Sequence, residues 1–458
     1  MKPFNVLELA NAVGGVILGG DPHTAVTSVS TDSRTVGDGA LFIPIVGEKF
    51  DGHDFIDKAL AAGAAGCLCD RMPEALREER IEKTLEEGKF FVRVKDTTVA
   101  YKDLAAWYRA QFSLPVVQIT GSVGKTTCKE MIASVLAQKY RTLKTEANFN
   151  NEIGTPMTLL RLDETYEAAV IETGMDRAGQ IRYLGEMVKP DVAVITNIGD
   201  MHIEYLGSRE GIYRAKCEIF ENLAADGAAF LNGDDEWLDK VRLAQRVVRA
   251  GKSAHCDARV SDIRDRGIDG ITCTVSTDKA CYTLDIPAPG AHMIYPASIA
   301  AAVGEALGLS AEEIERGVAA YEPSGARMHV IELPEGRRLL DDCYNAGPQS
   351  MRAALEVLGR SEGRTAAVLG DMAELGELTV AAHREIGALA RELGVGQVIA
   401  VGEKARDIAA AAGEGAQWFP TVDDALDAVR AAFIPGTAML VKASHSMHFE
   451  RITEELSK

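Results

Sequence analysis

Positive charge is in short supply in this sequence. Its 458 residues carry 49 Lys and Arg against 68 Asp and Glu, a formal net charge of −19. That balance argues against nucleic acid or an anionic membrane surface as the main partner, since both demand basic surface. An anionic substrate stays compatible with it, because a few local Lys and Arg suffice. Long apolar runs are missing too, and none approaches the ~20 residues of a membrane span. The first residues hold one early Lys and a polar break at Glu8 and Asn11, unlike a secretory leader. Cysteine is sparse and scattered. Cys67 and Cys69 have the wrong spacing for a Cys-x-x-Cys site, and His255 and Cys256 lack partners. All eight cysteines are therefore expected as reduced, mostly buried thiols of a cytoplasmic protein. No repeat or low-complexity tract is present.

What remains is globular in character, with 47 % apolar and 26 % charged residues. The chain is too long for one core, and about three domains are expected. Residues 1–95 mix short strands with a helical segment at 59–65. A charged helix is expected at 72–87 and a strand at 90–94. A helix at 100–111 leads into strand-like runs at 116–120, 168–172, 191–196 and 228–231, separated by helical patterns. That alternation implies a parallel sheet with crossover helices. Residues 258–287 alternate in β fashion, and helices follow at 297–307 and 311–320. Turn-rich residues 321–325 form the best linker. Beyond them strands at 338–341, 365–369, 397–401 and 438–442, with a helix at 379–393, imply a second, smaller doubly wound domain.

The most informative stretch follows the run 116–120. Gly121, Ser122, Val123, Gly124, Lys125, Thr126 and Thr127 open an amphipathic helical pattern with Met131, Ile132, Val135 and Leu136. Strand, glycine turn and helix in that order make a phosphate cradle. Backbone N–H groups close on the anion and the helix N-terminus supplies positive partial charge. Lys125 would reach terminal phosphates and Thr126 would hold Mg²⁺. The first glycine of the full consensus would fall at position 119, which is Ile119.

Other candidates lie at expected strand ends. Glu172 precedes Thr173 and Gly174, and Asn197 precedes His202, so Glu172 and His202 could converge beside the loop as metal ligands; a structural role for His202 is equally open. Asn148, Asn150 and Asn151 fit either a solvated loop or neutral donors to phosphate. Lys216 reads, by pattern alone, as a helix-face lysine.

Together these features resemble a family. The Thr-Gly-x-x-Gly-Lys-Thr-Thr run, Asn-Asn-x-Ile-Gly-x-Pro at 150–156, the strand-end Glu-x-Gly and the Asn–His–Lys spacing look like the ATP-dependent Mur ligases of bacterial peptidoglycan synthesis. Residues 341–351 are similar to that family's Asp-Ser-Tyr-Asn-Ala-Asn-Pro-x-Ser-Met signature, and 368–376 with His383 fit the same branch. Residues 31–34 and 47–55 resemble its uridine-nucleotide domain. The resemblance implies three α/β domains: 1–96 for the uridine-nucleotide substrate, 97–322 as a central P-loop-type ATPase domain with a parallel sheet, and 323–458 as a Rossmann-like domain for the amine. It implies ATP and two Mg²⁺ ions, with Lys216 carbamylated and ligating metal beside Thr126, Glu172 and His202. Lys125, Lys216, His202 and Lys442 would serve catalysis. Thr31, Ser33 and Arg34 would face uridine diphosphate. Asn151 would sit on phosphates, Arg327 would reach the γ-phosphate and Asp342 the ribose. Asn232 and Asp234 match a family Asn-x-Asp. Tyr344 and Asn345 would meet substrate. The substrates implied are UDP-N-acetylmuramoyl-tripeptide and D-alanyl-D-alanine, and a cytoplasmic monomer is expected.

The chain departs from the family in three places. The usual His-Asn-x-x-Asn on the adenine side reads His292, Met293, Ile294, Tyr295 and Pro296, so both asparagines are missing. The second Asn of Tyr-Asn-Ala-Asn-Pro is Gly347. The usual Lys-Gly-Ser-Arg reads Lys442, Ala443, Ser444 and His445. The last two changes fall where dipeptide and acyl phosphate would lie. A sister ligase adding one diamino acid would carry an Asp-Asn-Pro-Arg type motif, which is not found. The folate-polyglutamate branch lacks the uridine-nucleotide domain. A non-catalytic nucleotide-binding relative would fit the missing asparagines, but the Lys125, Thr126, Glu172, His202 and Lys216 set stands against it.

Overall fold

Val116–Thr120 is the strand around which the largest sheet is built. Its residues are apolar or β-branched except Gln118, and all five are buried. A strand covered on both faces needs such a run, and helices must supply the cover. The computed structural model describes residues 1–47, 49–71 and 86–458. In it the sheet has nine strands, in the order Cys281–Ile286, Ile271–Ser276, Ala258–Asp265, Arg246–Gly251, Ala228–Asn232, Val192–Ile195, Val116–Thr120, Ala168–Glu172 and Thr142–Lys144. Pairing is parallel from Ala258–Asp265 to Thr142–Lys144 and antiparallel among the first three. Those first three show the alternating burial of one-faced strands in Ile271–Ser276 and Cys281–Ile286.

One face of this sheet is covered by the helices Lys125–Leu136 and Ile294–Ala306, with Met131, Ile132, Val135, Ile299 and Val303 against Val117, Ile119 and Val194. The opposite face packs Ile212, Ala215, Ile219 and Leu223 on Ala193, Ile195 and Leu231. After Val116–Thr120 the chain builds toward Thr142–Lys144, and from Val192–Ile195 onward it builds the other way. The reversal opens a crevice beyond the carboxyl ends of Val116–Thr120 and Val192–Ile195, the place where open parallel sheets hold ligands.

A second parallel sheet follows the irregular stretch 321–324. Its order is His329–Leu333, Arg337–Asp341, Thr437–Lys442, Arg364–Gly370, Gln397–Val401 and Gln417–Phe419, with the first strand antiparallel. The helices Pro348–Leu358 and Thr379–Glu392 cover one face, and Val422–Ala432 and Glu450–Leu456 the other.

The described chain forms two compact units. One holds residues 115–147, 168–182 and 190–458, and so contains both sheets above. The other holds 1–114, 148–167 and 183–189. It contains a five-stranded sheet in the order Val16–Gly19, Phe90–Arg93, Gly66–Cys69, Ala40–Phe42 and Ser28–Ser30. Phe42, Ile56, Cys67, Cys69 and Phe91 make its core. The helix Thr97–Arg109 belongs to this unit and starts on Asp96, whose side chain accepts from the N–H groups of Thr98 and Val99.

Most expected elements are present within a residue or a few. The helix expected at 72–87 lies almost wholly outside the described residues. Four strands beyond residue 95 are additions. Arg246–Gly251 escaped notice because two arginines break its apolar run, and Thr142–Lys144, His329–Leu333 and Gln417–Phe419 because short edge strands bury little. All eight cysteines are unpaired, six of them buried.

The phosphate-loop helix is held by burial rather than by caps, since Gly124 offers no side-chain cap. Ile132→Ala, at a fully buried position, is expected to cost about 2–5 kcal/mol through lost transfer energy and the cavity left behind. The check is a lower urea midpoint with an unchanged m-value.

Candidate active site

The loop after Val116–Thr120 is shaped by two glycines. Gly121 has φ +154°, and a Cβ there would lie 1.9 Å from Thr196 Oγ1. Gly124 has φ +78° and starts the helix Lys125–Leu136. The neighbouring strand end clamps the loop. Asn197 accepts from Val123 N–H at 2.9 Å through its side chain and from Ser122 N–H at 3.1 Å through its carbonyl. Thr196 Oγ1 donates to the Val123 carbonyl at 2.6 Å, and Gly199 N–H donates to Ser122 Oγ at 2.8 Å. Helical bonding begins with Cys128 N–H to the Gly124 carbonyl at 2.9 Å. The N–H groups just ahead of it are therefore those that a helix N-terminus presents to an anion.

Lys125 Nζ folds back on the Gly121 carbonyl at 2.9 Å. Burial pushes its pKa down, Glu172 opposes that shift and the charge of Arg327 adds to it. Thr126 Oγ1 donates to Glu172 Oε2 at 2.8 Å, and both residues are buried. Thr126 and Glu172 are hard oxygen donors side by side, and they suit a small divalent cation. Among the described residues no cluster of three or more His, Cys, Asp or Glu is placed to hold a metal ion.

Lys216 lies on the helix Arg209–Cys217 and is 1 % exposed. Burial, reinforced by the charge of Lys125, drives its pKa well below the usual lysine range. Among the described residues it has no ion-pair partner. His202 has a left-handed backbone, φ +64°, and its Nδ1 lies 2.7 Å from Glu374 Oε2. This contact holds the Glu374 carboxyl below its ordinary value.

The second parallel sheet contributes its own group. Lys442, 2 % exposed, reaches Asp342 Oδ2 at 2.5 Å and the Asn345 carbonyl at 3.0 Å. Asp342 Oδ1 accepts from Met328 N–H at 3.0 Å. The Arg327 guanidinium lies 3.9 Å over the Tyr344 ring, which packs 5.4 Å from the His445 ring. Gly347 touches Met201, whose Sδ would be 2.5 Å from a Cβ at that position. Near the missing asparagines, Met293 is buried and Tyr295 OH donates to Asp234 Oδ2 at 3.0 Å. Asp234 also accepts from the N–H groups of Lys252 and Ser253, and Asn232 accepts from Asp234 N–H. Thr127 is in hydrogen-bond contact with Tyr321.

The other unit holds the remaining candidates. Asp32 grips Arg34 through side chain and backbone, which pulls the Asp32 carboxyl down to about 2. Ser33 is buried, Thr31 is half-buried, and Asn151 caps the N–H groups of Ile153 and Gly154.

Two contributors escaped the reading of the sequence. Asn197 was noticed only as a strand end. Lys129, fully buried, donates to the Thr145 carbonyl at 2.7 Å and pairs with Glu130 at 2.9 Å and Glu172 at 4.0 Å. Thr145 Oγ1 in turn accepts from Glu172 N–H at 3.0 Å. The signal was its spacing, four residues after Lys125 and so on the same side of the helix.

Removing one partner of a buried pair leaves a stranded charge. Lys129→Met is therefore expected to destabilise the protein by about 3–5 kcal/mol, read as a lower urea midpoint; a shift under about 0.5 kcal/mol, the range of ordinary surface changes, would contradict the assigned role.

Three family models match the chain: the Mur ligase middle domain over residues 119–304, the Mur ligase glutamate ligase domain over 326–445 and the Mur ligase family catalytic domain over 25–109. The UDP-N-acetylmuramoyl-tripeptide–D-alanyl-D-alanine ligase of Escherichia coli is 37 % identical over 91 % of this chain and 89 % of its own length. The crystal structure of MurF from Acinetobacter baumannii is similar with a TM-score of 0.91 and 30 % identity, covering 100 % of this chain and 99 % of that one. MurF ligase from Thermotoga maritima in complex with ADP gives a TM-score of 0.83 and 27 % identity, covering 94 % of this chain and 97 % of its own.

Proposed function

The chain belongs to the Mur ligase family, and from that membership we infer that it joins D-alanyl-D-alanine to UDP-N-acetylmuramoyl-tripeptide in peptidoglycan precursor synthesis, with ATP converted to ADP and phosphate. The observation that carries this reading is likeness over nearly the whole chain to ligases of that one specificity. The domain boundaries 1–96, 97–322 and 323–458, given to uridine nucleotide, ATP and amine, are part of the same proposal, as is a cytoplasmic location.

The reaction has two steps. A carboxylate oxygen of the tripeptide attacks the γ-phosphorus of ATP; the bond to the β–γ bridging oxygen breaks and ADP leaves. The dipeptide amine then attacks the acyl phosphate carbon, losing a proton, and phosphate departs as the amide forms. Both steps gather anions, so catalysis is mostly positioning and charge neutralisation. Lys125 and the helix N-terminus would meet the β- and γ-phosphates. Arg327, whose charge is felt at Lys125, would approach from the linker. Thr126, Glu172, His202 and Lys216 would hold Mg²⁺, two ions in this reading, and the metal when bound offsets phosphate charge. Lys442, Tyr344 and Asn345 would border the incoming amine, and Asp342 the ribose. Asn151, Thr31, Ser33 and Arg34 would bind phosphate and uridine groups.

Carbamylation of Lys216 belongs to this proposal. A neutral lysine amine adds to CO₂ and releases one proton, giving a carbamate anion. Burial without a counter-charge favours the neutral amine, and the resulting anion would face Lys125. The change turns a repelling cation into an oxygen ligand.

The test of function is phosphate release from ATP that depends on both substrates, measured with UDP-N-acetylmuramoyl tripeptides and a panel of D-amino-acid dipeptides. Lys125→Ala is expected to lower kcat by roughly two to three orders of magnitude, the effect of one positioned charge donor. Release that ignores either substrate would overturn the reading.

For Lys216, the Lys216→Ala enzyme is expected to be inactive in buffer and to regain part of its rate with added short-chain carboxylates. A variant with parental rate, or an intact-mass spectrum at high bicarbonate with no labile carbamate, would remove Lys216 from the site.

A further inference from the structure

We propose that Glu374, supplied by the C-terminal α/β fold, is a positioning residue for His202 of the central fold. The inference rests on the reading of His202 as a metal ligand and goes beyond it by naming what holds the ring.

His202 and Glu374 lie on loops far apart in sequence, and both are non-glycine residues with left-handed backbones, φ +64° and +60°. Such conformations persist where the surroundings over-determine them, and they gather at functional sites. Here the two strained residues meet each other, Nδ1 to Oε2 at 2.7 Å, with both side chains half-buried. The approach is a close ion-pair contact rather than an aligned hydrogen bond, since among the described residues the buried His202 Nδ1 has no hydrogen-bond partner. A carboxylate on Nδ1 keeps the proton on that nitrogen. Nε2 is then the ring's lone-pair atom, the tautomer that metal-bound histidines show when their other nitrogen faces a carboxylate.

The segment that carries His202 is seated from both sides. Toward the phosphate loop, Gly199 N–H donates to Ser122 Oγ at 2.8 Å and Ile198 N–H donates to Asp235 Oδ2 at 2.8 Å. Asp200 is fixed by Arg209 at 2.6 Å. Toward the C-terminal fold, a Cβ on Gly199 would stand 2.1 Å from Gln349 Oε1, and one on Gly347 would stand 2.5 Å from Met201 Sδ. Gly347 is one of the family departures, and the Met201 thioether fills the space that a side chain there would need. Residues 199–202 thus fit a slot with the phosphate loop on one side and the C-terminal fold on the other. Among the described residues Glu374 is the carboxylate within ion-pair distance of the imidazole.

The experiment uses the full chain with Glu374→Gln, which keeps shape and loses charge, and Glu374→Ala. His202→Asn is run in parallel. Three quantities are measured: kcat of ligation, Mn²⁺ affinity in the presence of ADP by electron paramagnetic resonance, and the thermal midpoint. Loss of a carboxylate behind a metal-bound histidine typically costs 10–100-fold in metal affinity or activity. Both Glu374 variants are therefore expected to lose about 10–100-fold in Mn²⁺ affinity and in kcat, with a midpoint close to the parent's. Mn²⁺ affinity within twofold of the parent in both variants overturns the inference, whatever happens to kcat or the midpoint. Should His202→Asn lose Mn²⁺ affinity while the Glu374 variants keep it, the inference alone falls. Should His202→Asn also keep it, the ligand reading falls and the inference with it.

Discussion

The site is organised by cations held out of water around too few anions. Lys129 and Lys216 are buried and Lys125 is desolvated; Glu172, at the end of Ala168–Glu172, is the carboxylate that Lys125 and Lys129 share, while Lys216 feels the charge of Lys125. Glu130 is spoken for by Lys129 and Lys144. Burying a charge is costly unless it is paired, so a pocket with surplus ammonium groups is stabilised by an anionic ligand or by loss of a proton. The chain as a whole is strongly acidic. Against that balance, Lys125, Lys129 and Lys216 are three cations drawn together out of water.

Much of this was legible in the sequence because local and tertiary demands coincide. Val116–Thr120 and the helix after Gly124 were read correctly from pattern, since both bury nearly everything they have. The alternating strands of 258–286 were legible for the opposite reason, burial on one face only. Arg246–Gly251 was not, although it is an inner strand, because Arg246 and Arg249 interrupt its apolar run. Lys129 was passed over because a lysine on a helix is ordinarily solvated; nothing short of the fold reveals that its ammonium ends on a backbone carbonyl. The pairing of His202 with Glu374 lies further from reach, because it joins two loops across two sheets.

The departures from the family pattern have physical correlates. Gly347 is matched by Met201, and His445 lies against Tyr344, whose ring also carries the Arg327 guanidinium. Met293, in place of the first asparagine, is buried, and between the two replaced positions Tyr295 donates a hydrogen bond to Asp234, which also accepts from Lys252 and Ser253. Met293, Gly347 and His445 are thus each packed against neighbours. The changed residues are parts of an altered lining rather than gaps in an intact one.

This has a consequence for how the two sheets cooperate. In the proposed reaction a phosphate loop can bind a triphosphate alone, but the second fold has to meet it in register, since Arg327, Asp342 and Lys442 all belong to that fold. A parallel sheet fixes its loops only at strand ends, so register has to come from contacts between loops. The segment 199–202 supplies such a contact. It is hydrogen-bonded to the phosphate loop through Ser122, and it meets the C-terminal fold through Met201, Gly199 and His202. Loops that strain two non-glycine residues to meet at one ion pair are tolerant of few other arrangements. Placement of the second fold is therefore coupled to the shape of the phosphate cradle by covalent neighbours and short polar contacts.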